Sequence, residues 1–68
     1  MNYIEIIKDI MLEQNLSQEK MGEILNVNQT TIGKWLRGER KPTYDNILKF
    51  YEKFGIEPND FFGINKDL

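Results

Sequence analysis

The chain has 68 residues, with 9 Lys and Arg against 11 Asp and Glu, and a formal net charge of −2. That length allows one domain with a small, marginally stable core. The lack of Cys and His removes disulfides, thiolate nucleophiles, imidazole bases and the usual zinc ligands, and apolar runs of two or three residues exclude a membrane span.

Helical spacing of apolar residues predominates, and no β alternation is visible, so the fold class is all-α. The first helix is predicted from about Asn2 to Gln14. Asn2 serves as N-cap, Ile4, Ile7 and Met11 form the inward stripe, and Ile6 and Ile10 form a second one. Asn15 tolerates the left-handed conformation that ends a helix. The second helix starts after Ser17, an N-cap followed by Gln18 and Glu19 in the first turn. Met21, Ile24 and Leu25 face inward. Gly22 sits beside that face, where it costs about 1 kcal/mol relative to Ala. Close approach of another backbone is a reason to accept that cost.

Leu25-Asn26-Val27-Asn28 is a very short connection, with Asn26 suited to a left-handed turn and Asn28 to a cap. The third helix is predicted over Gln29 to Arg37, ended by Gly38. Ile32, Trp35 and Leu36 take one side. Gln29, Thr30, Gly33, Lys34 and Arg37 take the other, which has no acidic group. The basic loop Glu39 to Pro42 leads to Thr43, a cap for a fourth helix from about Tyr44 to Lys53. Ile47, Phe50, Tyr51 and Phe54 are expected inward, with Gly55 as the stop. Glu57 and Pro58 open a short fifth helix, about Pro58 to Phe62, and Gly63 to Leu68 reads as a tail. The aromatic residues Phe50, Tyr51, Phe54, Phe61 and Phe62 are expected in the core.

Charge is unevenly distributed. Residues 1–32 carry a net −3, residues 33–53 a net +3, and residues 54–68 a net −2. Lys34, Arg37, Arg40 and Lys41 lie within eight residues. Such a patch is either an ordinary solvated surface or a phosphate site, because fields are screened over about 8–10 Å. Two short helices with a tight turn suggest a helix-turn-helix, whose second helix enters the DNA major groove. A small bundle with a normal polar face is the other reading. Gln pairs with adenine, Lys with guanine, and a Thr methyl meets the thymine methyl. On this reading Gly33 removes bulk where the helix sits deep in the groove.

The stretch from Leu16-Ser17-Gln18-Glu19 through Thr30-Thr31-Ile32-Gly33-Lys34-Trp35-Leu36-Arg37-Gly38, continuing to Pro42, resembles the Cro/phage-repressor (XRE) type of helix-turn-helix. The resemblance extends over about Ile4 to Gly63. It implies a compact five-helix, lambda-repressor-like domain over residues 1–63, with the motif at helices 2 and 3 and a tail at 64–68. It places base reading on Gln29, Thr30 and Lys34. It places phosphate contacts on Gln18, Asn28, Thr31, Arg37, Arg40, Lys41 and the Tyr44 peptide N–H, with Gln18 also bracing the recognition helix. The family's small Ala and its turn Gly are Gly22 and Asn26 here. A frequent ion pair between the first and third helices is replaced by Met11 and Leu36, for which an apolar contact is expected.

The expected function is a sequence-specific double-stranded DNA-binding regulator, a repressor, acting in the cytoplasm. A homodimer is expected at least on a palindromic operator. In the family the dimer surface often lies around helices 4 and 5. Ile6, Ile10, Phe62, Ile64 and Leu68 are surplus apolar residues, and the tail Ile64 to Leu68 is expected against helix 1 or at a dimer contact. The alternative is a protein-interaction module or antitoxin-like accessory regulator. No cofactor, metal or small-molecule ligand is expected, and with no nucleophile–base pair no enzyme activity is expected. Met1 and the lack of a linker-like end fit a whole, small protein, and no signal peptide is expected.

Overall fold

The computed structural model describes residues 2–62, with the side chain of Phe62 left out. Expectations placed on that side chain, on the boundary after residue 63 and on the tail lie outside the described residues. Five helices follow in order: α1 (Tyr3–Gln14), α2 (Gln18–Leu25), α3 (Gln29–Leu36), α4 (Tyr44–Phe54) and α5 (Pro58–Phe62). No strand occurs among the described residues. None of the described helices is long and apolar enough to cross a membrane.

Local hydrogen bonds set the helix ends. Asn2, Ser17, Asn28 and Thr43 each accept a backbone N–H of the first turn with the side-chain oxygen, at 3.0 to 3.3 Å. Asn15 and Asn26 close α1 and α2 with φ of 56° and 58°. At each, the following N–H reaches back to a carbonyl five residues earlier, Leu16 to Met11 and Val27 to Gly22, both at 2.8 Å. Gly38 and Glu39 repeat this closure after α3. Arg37 ends that helix as its C-cap, so α3 is one residue shorter than expected.

The core joins all five helices. Ile7, Met21, Ile32 and Phe50 are wholly buried, and Leu25 and Trp35 nearly so. Phe50 of α4 is its centre. Its ring lies 5.9 Å from Trp35, 6.0 Å from Phe54 and 5.0 Å from Phe61, all tilted. These contacts fix the back of α3 against α4 and α5.

Three inward assignments change, the first in α2, where Ile24 is only partly buried and stands outside the core that Met21 and Leu25 enter. In α1 the buried residues are Ile6, Ile7 and Ile10, while Ile4 and Met11 are partly buried. The helix is held by α3 and by α5 at once, so its buried arc is centred between Ile7 and Ile10. Ile6 and Ile10 are therefore core residues and are not surplus. In α4, Tyr51 is half exposed. It stands one step of about 100° beyond Phe50, outside the arc that Ile47, Phe50 and Phe54 bury. Met11 and Leu36 are both partly buried and line one shallow groove with Lys8, Leu12, Asn15 and Leu16.

Candidate nucleic-acid interface

The angle between α2 and α3 depends on Gly22. A Cβ on that residue would stand 2.6 Å from the Val27 carbonyl oxygen and 3.5 Å from the Gln29 nitrogen. Both are backbone atoms, so nothing larger than hydrogen fits without moving the turn. The close approach expected from the sequence is therefore to the motif's own turn. Asn26 in its left-handed conformation reverses the chain, and Asn28 starts α3.

Burial of Ile32, Gly33 and Trp35 leaves the first turn of α3 and Lys34 toward solvent. Gln29 and Thr30 are exposed, and Thr31 and Lys34 are partly so. No acidic residue lies between Asn28 and Gly38. The side-chain oxygen of Asn28 accepts the Thr30 N–H at 3.0 Å. A phosphate contact from Asn28 is thus left to its amide N–H donors.

Gly33 differs from the sequence expectation. It is buried and does not open a space toward solvent. A Cβ there would stand 3.1 Å from an Arg37 guanidinium nitrogen, Nη1, and 3.2 Å from Gln18 Oε1. The side chains of Gln18, from the first turn of α2, and Arg37, at the end of α3, converge over this glycine. Gln18 thereby lies against α3 at Gly33. The signal in the sequence was the glycine itself, but the identity of what covers it depends on the α2–α3 angle.

Arg37 also has an acidic partner two residues further on. Its Nε donates to Glu39 Oε2 at 2.8 Å, and Nη2 donates to Oε1 at 3.4 Å. The hydrogen bond from Arg37, then its charge, then the charge of Lys34 hold the Glu39 carboxyl below the usual carboxylate range. The hydrogen bond to Glu39, and then its charge, raise Arg37 further. Both side chains remain more than half exposed.

Arg40 and Lys41 are exposed, and among the described residues neither makes a side-chain hydrogen bond. Lys41 lines a groove with Tyr3, Pro42, Ile47 and Phe61, at the junction of α1, α4 and α5. It is thus set apart from the cluster over Gly33. Thr43 caps α4 through the Asn46 N–H, and the Tyr44 N–H belongs to the first turn, where no intrahelical acceptor exists. Asp45 in the same turn suits the helix dipole but would repel a phosphate placed there.

No curated protein and no solved structure matched the chain in the comparisons made. A family model described as helix-turn-helix matches residues 7–61, from the middle of α1 into α5. With the fold and the α2–α3 geometry described above, that match makes the chain a member of the helix-turn-helix family, of the Cro/phage-repressor (XRE) type, and a DNA-binding regulator.

Proposed function

We propose that this protein is a sequence-specific repressor that reads the DNA major groove with α3, operating in the cytoplasm. The observation that carries the reading is the division of α3. Ile32 and Trp35 are locked into the core, while Gln29, Thr30 and Lys34 stand outward with no acid among them. Gln29 pairs with adenine, Thr30 meets a thymine methyl and Lys34 donates to guanine. Gln18, the Asn28 amide, Thr31, Arg37, Arg40, Lys41 and the Tyr44 N–H hold phosphates on either side, which positions the helix without reading sequence.

One such module makes few base contacts, so the protein acts as a homodimer on a palindromic operator with half-sites about one helical turn apart. An exposed apolar stripe on α4 supports this. Tyr44, Leu48 and Tyr51 recur at i, i+4 and i+7, and are 60%, 36% and 49% exposed. With Ile6 and Ile10 in the core, this stripe replaces them as the candidate dimer surface. Repression then follows from occupying DNA that polymerase needs.

Selection of bound duplexes from a random library is expected to yield a palindromic consensus. Affinity for it should fall steeply with salt, since phosphate neutralisation supplies much of the free energy. The double variant Lys34→Ala/Arg37→Ala should lose that affinity while melting at the wild-type temperature. Recovery of no consensus, together with no salt-dependent binding, would overturn the reading in favour of a protein-interaction module.

A further inference from the structure

Within the basic segment from Lys34 to Lys41 there is one acid, Glu39. Its carboxylate does not lie free among the cations. It holds the Nε and Nη2 edge of Arg37 in a two-point contact, the geometry by which an arginine also grips a phosphate. The remaining nitrogen, Nη1, lies over Gly33 beside Gln18 Oε1. Arg37 is thus held along one edge by its own neighbour in the loop, while its other end only lies over the α2–α3 seam.

We propose that Glu39 is an internal competitor for the DNA backbone: its carboxylate occupies the edge of Arg37 that a phosphate needs, and must leave when DNA binds. The inference rests on the DNA-binding reading of α3 and adds a residue that no base or phosphate contact includes. Three observations support it. The pair is exposed, and exposed pairs contribute little to folding, so Glu39 is dispensable for the fold. The contact uses the same donors as phosphate binding, so acid and phosphate exclude one another at that edge. Lys34 also helps hold the Glu39 carboxyl below its usual range, so the acid stands among the cations expected to face DNA. Because phosphates carry no base identity, Glu39 sets the strength of grip and leaves base preference unchanged.

The test is a double-mutant cycle of wild type, Glu39→Gln, Arg37→Ala and Arg37→Ala/Glu39→Gln. Binding of a labelled 20-base-pair random duplex is followed by fluorescence anisotropy over a salt series, with the same duplexes read by the wild type as reference. Glu39→Gln is expected to tighten binding about two- to fivefold on every duplex. The salt slope should steepen by up to about 0.9, as for one further phosphate contact. In the Arg37→Ala background the same change should have little effect. Weaker binding by Glu39→Gln would make Glu39 a positioning residue for Arg37 and overturn the proposal. Equal tightening in both backgrounds would reduce it to general charge repulsion and overturn it as well. If wild type and all variants fail to bind DNA at any salt, the reading of α3 fails and takes the proposal with it. Binding by wild type and Glu39→Gln with identical affinity defeats the proposal alone.

Discussion

Gly22 and Gly33 are both buried inside helices of eight residues, one on each side of the turn, yet they are glycines for different reasons. The neighbours of Gly22 are backbone atoms of the turn and of the first residue of α3, which cannot move without changing the motif. The neighbours of Gly33 are the ends of two long side chains, Gln18 and Arg37, which can. One glycine sets the geometry of the fold, and the other sets where two polar side chains rest. Burial alone does not distinguish them, but the nature of the covering atoms does.

That contrast can be broken by substitution. Gly22→Ala should have the largest effect, a loss of about 1–3 kcal/mol by overpacking, against which the gain in helix propensity is smaller. Urea unfolding of the variant at wild-type stability would show that the turn yields. Asn26→Ala comes next, since its φ of 58° costs a non-glycine residue without Asn's local hydrogen bonding about 1–2 kcal/mol. A melting temperature unchanged from wild type would contradict it. Gly33→Ala should leave stability the same or raise it by up to about 1 kcal/mol, because Ala favours the helix and the side-chain ends can swing away. Its cost is expected in DNA affinity alone, as Gln18 and Arg37 are re-aimed. A loss of stability equal to that of Gly22→Ala would erase the difference between the two sites.

The same division marks what could be read in the sequence. The caps Asn2, Ser17, Asn28 and Thr43 were legible because a cap is a hydrogen bond over two or three residues. The left-handed Asn15 and Asn26 were legible because few residue types tolerate that conformation. The buried arc of α1 was not, because five apolar residues between Ile4 and Met11 offer more than one stripe. Only the simultaneous contact with α3 and α5 selects Ile6, Ile7 and Ile10. Tyr51 was misplaced for a related reason, as it adjoins Phe50 at the margin of the buried arc. At the interface, the outward residues of α3 followed from periodicity. The covering of Gly33 by Gln18 did not, because it joins two helices. The Arg37–Glu39 contact lay two residues apart and was within reach of the sequence, but a count of net charge hides a pair.

Trp35 is the only tryptophan in the chain, and it is 1% exposed, tilted against Phe50 on the inner side of α3. It therefore provides an optical reporter attached to the recognition helix but shielded from anything that helix touches. Its emission should shift red when α3 leaves the core, and should stay almost constant when DNA is added. Unfolding and binding can then be followed in one cuvette as separate signals, which is what sorting the Gly22 and Gly33 variants requires.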